Sequence, residues 1–260
     1  MLIRELTFAA IGTGFTCLAT VLGAAMVFFF REDLKPATQK IFLGFAAGVM
    51  VAASVWSLLI PSMEMAEEMG QSPALPVGGG FLLGGAFLMV LDRLTPHLHI
   101  GSSDPEGLPA HLSRTTMIVL AVTLHNIPEG MAVGAAYAGC VAAGAAAPAA
   151  AFTLALAIAI QNVPEGAIVA LPLRTAGAGK GRAFLGGVLS GAVEPLAAGV
   201  TVLAAALIVP ALPWLLGFAA GAMLYVVAAE LLPTRGDSGP GALAFAAGFT
   251  VMMILDVALG

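Results

Sequence analysis

Eight apolar runs, each about 20 residues or longer, follow one another along the chain between short polar segments. Wound as α-helices, runs of this length match the hydrocarbon thickness of a bilayer. Polar and apolar residues do not alternate within them, which excludes a membrane β-barrel. We therefore predict an all-α polytopic membrane protein with one transmembrane domain over residues 1–260. The predicted spans 1 to 8 lie at about 5–30, 40–62, 74–94, 115–139, 149–173, 183–209, 212–233 and 240–259.

Charge is scarce, at 10% of the chain against about 25% in soluble domains. So few charges could not cover a water-facing surface of this size. The first apolar run extends to Phe30 and is too long for the core of a cleavable signal, so we expect it to remain as a helix. Cys17 and Cys140 form neither a disulfide framework nor a CxxC metal motif.

The basic residues predict the orientation of the spans. The loops after spans 1, 3, 5 and 7, with the adjoining span ends, hold nine of the ten Lys and Arg residues. They are Arg31, Lys35, Lys40, Arg93, Arg114, Arg174, Lys180, Arg182 and Arg235. Only Arg4 lies on the other side. Because basic loops stay in the cytoplasm, we expect both termini to lie on the outer side of the membrane. The membrane is expected to be the cell membrane, which is the inner membrane in a bacterium.

Two segments of the chain occur twice. Residues 44–50 of span 2 match residues 217–223 of span 7, and residues 81–92 of span 3 match residues 245–256 of span 8. Matched spans lie five spans apart and so cross the membrane in opposite directions. Spans 1–3 and 6–8 are therefore predicted to form an inverted repeat around spans 4 and 5. Inverted repeats are typical of transporters, whose substrate site lies near the midplane.

A polar motif is also written twice, near the middle of two neighbouring spans. Residues 125–130 of span 4 read HNIPEG and residues 161–166 of span 5 read QNVPEG. Residues three and four apart share one helix face. Each span therefore has one polar face, formed by His125, Asn126, Glu129 and by Gln161, Asn162, Glu165.

These faces predict a cation site if they meet. Two carboxylates in a low-dielectric interior repel each other unless a proton or cation lies between them, and no span interior holds a Lys or Arg. Span 6 adds Glu194 near mid-span, opposite Thr16 in the repeat, as a further ligand or a proton acceptor. One imidazole with carboxylate and amide oxygens suits Zn²⁺, Cd²⁺, Fe²⁺ or Mn²⁺. The alternative is a polar cluster that only joins helices.

The doubled motif on adjacent spans of an eight-span chain resembles the ZIP (Zrt-, Irt-like) metal transporters, in particular their bacterial GufA-like branch. The resemblance covers essentially the whole chain and implies a Zn²⁺ transporter, not an enzyme, with metal as substrate and no cofactor. It also implies a homodimer in membrane lipid, with spans 1, 4, 5 and 6 moving against spans 2, 3, 7 and 8. Nucleic acid is not an expected partner.

The resemblance further implies a binuclear site. One ion is expected at His125, Glu129, Gln161 and Glu165, and the other at Asn126, Glu129, Asn162, Glu165 and Glu194. Some family members carry Asp at the position of Asn162, so occupancy of the second position stays open.

Other polar residues are candidates for the ends of the pathway. A cytoplasmic exit is expected at Asp92, His97, His99 and Glu230, where a flexible loop could bring ligands onto one ion. Glu64 and Asp256 could attract cations at an outer entrance. Met50, paired with Met223 by the repeat, is either a soft ligand or ordinary packing, and the roles of Ser54 and Ser57 are left open.

Two other functions are compatible with parts of the sequence. His125 and Glu129 superficially match HExxH, but the second histidine of a metalloprotease is absent. A proton- or sodium-coupled carrier of an organic solute could use the same glutamates as proton relays. We expect the chain to move a divalent metal ion into the cytoplasm by alternating access to a midplane site.

Overall fold

The computed structural model describes residues 2–30, 35–98, 105–142, 144, 149–207, 211–231 and 239–259. Ten α-helices account for most of them, and no strand occurs in these ranges. The helices are α1 (Leu2–Ala24), α2 (Pro36–Ala53), α3 (Ile60–Glu68), α4 (Ala74–Leu94), α5 (Arg114–Ala142), α6 (Ala149–Thr175), α7 (Lys180–Gly191), α8 (Val193–Leu207), α9 (Leu212–Val226) and α10 (Pro240–Leu259). A 3₁₀ turn (Ala25–Phe28) extends α1, and π-helical segments follow α2 (Ser54–Leu59) and α9 (Val227–Leu231).

The all-α membrane fold is confirmed. Span 2 consists of α2, its π segment and α3, and span 6 consists of α7 and α8. Span 2 extends over 36–68 rather than 40–62, because an apolar run marks the hydrocarbon-crossing part of a helix and not its full length. In the described ranges, seven helices are long and apolar enough to cross a membrane. The remaining one, α5, has 29 residues and carries the polar HNIPEG segment.

Helix packing follows the repeat. The most extensive contacts join α2 to α10, α4 to α9, α1 to α6 and α5 to α8. In span numbers, these pairs are 2 with 8, 3 with 7, 1 with 5 and 4 with 6. If each span is replaced by its counterpart in the repeat (1, 2 and 3 by 6, 7 and 8, and 4 by 5), the same four pairs result. The π segments obey the same relation, since each begins ten residues after the first glycine of the repeated segment, Gly44 or Gly217. The two halves of the chain therefore share one pattern of local structure and packing.

The helices form two groups. One contains α1, α5, α6, α7 and α8, and the other contains α2, α3, α4, α9 and α10. Contacts between the groups, chiefly α5 with α9 and α2 with α6, are less extensive than the four main pairs, each of which lies within one group. Of the seven apolar spans, α6 is the most enclosed, with 78% of its most apolar stretch buried against 17% for α10. The second copy of the motif therefore lies at the centre of the molecule.

Prolines affect the motif helices and span 6 differently. Helices α5 and α6 continue through Pro128 and Pro164. Span 6 instead divides at Ala192, between α7 and α8. Pro195 has no N–H to donate to the carbonyl of Gly191, so the ladder is interrupted there. The interruption lies directly beside Glu194, as in transporter helices that are discontinuous at their substrate sites.

Candidate metal site

Helices α5 and α6 bring the two copies of the polar motif together. The amide nitrogen of Gln161 lies 2.5 Å from the Oε1 atom of Glu129 and donates a hydrogen bond to it. Asn126, Glu129, Gln161 and Asn162 are fully buried, and Glu165 is 8% exposed. The carboxylates of Glu129 and Glu165 repel each other electrostatically. The predicted polar faces thus meet inside the protein, near the middle of α5 and α6.

His125 lies one turn before Glu129 on α5 and is partly buried. Its ring interacts electrostatically with Glu165 on α6, so it belongs to the same polar site. An imidazole, two carboxylates and three side-chain amides therefore share this part of the protein.

Five buried oxygen atoms in this cluster have no hydrogen-bond partner. They are Asn126 Oδ1, Glu129 Oε2, Gln161 Oε1, Asn162 Oδ1 and Glu165 Oε2. An unsatisfied buried acceptor costs about 1–3 kcal/mol, and more when it is charged. All five are acceptors, so the group that would satisfy them is positively charged or a donor. An oxygen set with one imidazole fits a divalent cation.

Hydrogen bonds orient the two asparagine amides. The nitrogen of Asn126 donates to the carbonyl of Ser190 at 2.8 Å. The nitrogen of Asn162 donates to Glu194 Oε1 at 2.9 Å and to the carbonyl of Thr16 at 3.3 Å. Because these partners only accept, the atom facing them must be the nitrogen. The oxygen of each amide is therefore the atom left unpartnered.

Glu194 lies beside this cluster but has a different environment. Its Oε2 atom accepts a hydrogen bond from the hydroxyl of Thr16. Its Oε1 atom accepts from Asn162 and lies 3.4 Å from the hydroxyl of Thr20. Both oxygens therefore have partners, whereas Glu129 and Glu165 each have one oxygen without a partner. The sequence gives little sign of this role for Thr16 and Thr20, since buried helical threonines commonly bond to their own backbone.

Two glycines allow the backbones to approach at the site. A Cβ atom at Gly130 would overlap the backbone of Glu194, which joins α5 to α8. A Cβ atom at Gly166 would overlap the carbonyl of Thr20, which joins α6 to α1. These glycines occupy equivalent positions in the two motif copies, so the lack of a side chain permits both close backbone contacts.

A second group lies after α4. The Nε2 atom of His97 is 3.0 Å from Oδ1 of Asp92, and its Nδ1 atom donates to the carbonyl of Thr95 at 2.8 Å. Backbone hydrogen bonds pair His97 with Glu106. Ligand atoms of Asp92, His97 and Glu106 all lie within 4.8 Å of one another.

This arrangement differs from the expected flexible loop. His97 is fully buried and fixed by its neighbours. Glu106 joins the group although no periodic pattern marks it in the sequence. His99 lies outside the described residues, as does the side chain of Glu230.

The candidate entrance residues are linked through Ser57. Its hydroxyl donates to Oδ1 of Asp256 at 2.8 Å. Ser57 also lines a cavity of about 190 Å³ together with Glu64 and Glu68. Asp256 and Glu64 are therefore connected to one polar cavity through a shared neighbour.

The remaining candidates face other surroundings. Met50 and Met223 are buried in the main apolar cluster. The hydroxyl of Ser54 donates to the carbonyl of Met50, one turn earlier in the helix. These contacts favour packing for both methionines.

Comparisons with known proteins agree with this geometry. Residues 98–256 match the model of a protein family described as "ZIP Zinc transporter". The chain is 39% identical to "Zinc transporter ZIP11" of Homo sapiens, with 97% of each chain covered. It is 40% identical to "Zinc transporter GufA" of Myxococcus xanthus, covering 93% of this chain and 95% of that one. For "Zinc transporter ZIPB" of Bordetella bronchiseptica the identity is 41%, covering 97% of this chain and 82% of that one.

These relatives are membrane transporters rather than enzymes, so the metalloprotease alternative is wrong. The GufA-like resemblance is confirmed by the bacterial relatives. The match covers both motif copies and the break in span 6. This chain is therefore a multi-pass membrane protein that belongs to the ZIP family of zinc transporters.

Proposed function

We propose that this chain carries Zn²⁺ across a cell membrane into the cytoplasm, through the site between α5, α6 and α8. The observation that carries the proposal is the cluster of five unpartnered oxygen atoms around Glu129 and Glu165. A bound divalent cation would satisfy these oxygens and remove the repulsion between the two carboxylates. Family membership favours zinc among the divalent ions that such ligands accept.

The first ion is proposed to bind His125, Glu129, Gln161 and Glu165. The second position implied by the family resemblance would add Asn126, Asn162 and Glu194, with Glu129 and Glu165 bridging. Both oxygens of Glu194 already accept hydrogen bonds. Glu194 would therefore have to give up one of these bonds to bind an ion at the second position.

The two helix groups support transport by alternating access. The group that carries the site packs closely through α1 with α6 and α5 with α8, while its contacts with the other group are less extensive. A movement between two such groups would expose the site to one side of the membrane and then to the other. We propose that the site-bearing group moves as one body relative to the other.

Entry and exit are proposed at the two polar groups away from the centre. The cavity bordered by Ser57 and Glu64, with Asp256 beside it, would concentrate cations on the outer side. Asp92, His97 and Glu106 would receive the ion on the cytoplasmic side. His99, which follows His97 closely in the chain, and Glu230 at the end of span 7 are proposed as further ligands there.

The contacts of His97 favour this exit role. Because its Nδ1–H is used by the carbonyl of Thr95, a neutral ring has its lone pair at Nε2, facing Asp92. A lone pair facing a carboxylate attracts a proton or a metal ion.

The distribution of basic residues between the loops supports a cytoplasmic location for this end of the protein and an outward location for both termini. We also propose that two copies of the chain form a homodimer in the lipid bilayer. Exposed apolar side chains on α4 and α10 are compatible with lipid or a second copy.

Binding to the purified protein tests the proposed site directly. A cation that binds only the folded state raises its melting temperature in a concentration-dependent way. We expect Zn²⁺ to stabilise the wild type and to have little effect on Glu165→Gln. Glu67→Gln is the matched control, because Glu67 is an exposed carboxylate at the end of span 2. Equal stabilisation of Glu165→Gln and wild type would contradict the assignment.

A further inference from the structure

Three glutamates are buried in the middle of the protein, and their oxygens are used differently. Glu129 and Glu165 each have one oxygen without a hydrogen-bond partner. Glu194 has none, although it is fully buried. The first two carboxylates are therefore ready to accept a cation without breaking a contact. Glu194 would have to give up an existing partner before it could bind an ion through that oxygen.

Thr16 is the partner of Glu194 Oε2. Its oxygen also lies 3.1 Å from the carbonyl of Thr13, but a hydroxyl has only one proton to donate. When Glu194 is ionised, its carboxylate is the stronger acceptor of the two, because charge-assisted hydrogen bonds exceed neutral ones. The hydroxyl of Thr16 is therefore committed to Glu194.

Asn162 holds the other oxygen of Glu194. Its amide nitrogen donates to Oε1 and to the carbonyl of Thr16, so it connects α6 to both α1 and α8. An aspartate at this position would have no hydrogen to donate and would add a second negative charge. The asparagine therefore allows the carboxylate to remain within the hydrogen-bonded network.

On the basis of the proposed function, we propose that Thr16 is a positioning residue that, together with Asn162, keeps Glu194 from coordinating the transported ion. The ion is then held by Glu129 and Glu165 with neutral ligands. Two carboxylates rather than three bind the cation less tightly, which favours release, and transport requires release as well as capture.

Thr16→Val removes the hydroxyl and preserves the shape of the side chain. Glu194 Oε2 then becomes an unsatisfied buried acceptor, and a cation becomes its best partner. We expect Zn²⁺ to bind roughly tenfold more tightly, equivalent to about 1.4 kcal/mol. We expect the maximal rate of transport in proteoliposomes to fall at least about fivefold, because the ion leaves more slowly.

Two variants on α1 provide controls. Thr16→Ser retains the hydroxyl and should restore both wild-type affinity and wild-type rate. Thr13→Val removes another fully buried hydroxyl, which donates to the carbonyl of Ala9 at 2.7 Å. It should leave affinity and rate unchanged. A general effect of lost polarity in α1 would instead alter Thr13→Val as much as Thr16→Val.

A spectroscopic measurement tests the same point without a change at Thr16. Metal coordination shifts the infrared carboxylate bands, so Zn²⁺-minus-apo difference spectra report which glutamates become ligands. The Glu194→Gln spectrum should match that of the wild type, whereas Glu129→Gln should lose a band. If Thr16→Val does not fold, this comparison still tests whether Glu194 coordinates the ion.

Unchanged or weaker Zn²⁺ affinity in folded Thr16→Val would overturn the inference, and so would loss of a metal-induced band in Glu194→Gln. In either case the wild type would still bind Zn²⁺ saturably, and the proposed transport site would stand. Absence of saturable binding by the wild type would overturn the proposed function and this inference together.

Discussion

Thr16 lies on span 1 and Glu194 on span 6, the two spans that the repeat relates, and the hydroxyl of Thr16 donates a hydrogen bond to the carboxylate of Glu194. Spans 1 and 6 therefore meet at the centre of the inverted repeat. A carboxylate on one side and a hydroxyl on the other make this contact attractive, whereas two glutamates would repel. Both oxygens of Glu194 are therefore hydrogen-bonded, whereas Glu129 and Glu165, the other two glutamates at the centre, each have one oxygen without a partner.

Asn162→Asp is expected to change the number of bound ions. The substitution removes the amide donor to Glu194 and adds a carboxylate beside it, and three close carboxylates then favour a second cation. Calorimetric titration should show about one Zn²⁺ per wild-type chain and about two per Asn162→Asp chain. Asn126→Ser is a suitable control, because it alters the other motif asparagine without adding charge. Two ions in the wild type would contradict this account of Asn162.

Metal binding is expected to weaken as the pH falls. The ligands bind metal in their deprotonated forms, and the usual pKa of histidine is about 6.5. Protons therefore compete with Zn²⁺ at His125 and at the glutamates, and affinity should drop roughly tenfold or more between about pH 7 and pH 5. Titration of the purified protein across this range measures the effect. An affinity independent of pH would mean that other groups bind the ion.

The doubled motif made the centre of the site predictable from the sequence, while its surroundings were not. Spacings of three and four residues place Asn126, Glu129 and their counterparts on single helix faces, and the structure brings those faces together. Thr16 had no comparable signal, because a helical threonine such as Thr13 usually bonds to its own backbone. Only tertiary packing brings Thr16 to Glu194.

The fold could be predicted to a similar extent. Apolar run length marks a crossing of the bilayer, so all eight spans were found. The break at Ala192 was missed, although Gly191 and Pro195 on either side are its local signal. Glu106 could not have been predicted, because its position beside His97 depends on loop pairing rather than on helical spacing.

Gly166→Ala is expected to destabilise the protein and impair transport. Its new methyl group would meet the backbone carbonyl of Thr20, which cannot move without displacing α1 from α6. Overpacking of this kind typically costs about 1–3 kcal/mol. The melting temperature in detergent measures the loss. Gly14→Ala is the control, since no atom lies within 4 Å of a Cβ atom there. Equal melting temperatures for the two variants would contradict the close contact between α1 and α6.

His97→Ala is expected to slow transport while leaving binding at the central site nearly intact. His97 contacts Asp92, Thr95 and Glu106, none of which is a proposed ligand of the central site, so its loss should affect exit of the ion more than its capture. His111→Ala replaces an exposed histidine in the same loop and should behave like the wild type. Uptake rates and calorimetric affinities measured on the same preparations separate these effects. If His97→Ala lost Zn²⁺ affinity at the central site, the assignment of His97 to exit of the ion would be wrong.

The central claim is that Glu129 and Glu165 hold the transported ion. Its most direct test is uptake of radioactive Zn²⁺ into proteoliposomes containing the wild type, Glu129→Ala, Glu165→Ala or the exposed control Glu67→Ala. We predict saturable uptake by the wild type and Glu67→Ala. Both site variants should fold and insert but lose uptake, because loss of one carboxylate also relieves repulsion in the empty site. Uptake near the wild-type rate in either site variant would contradict the account.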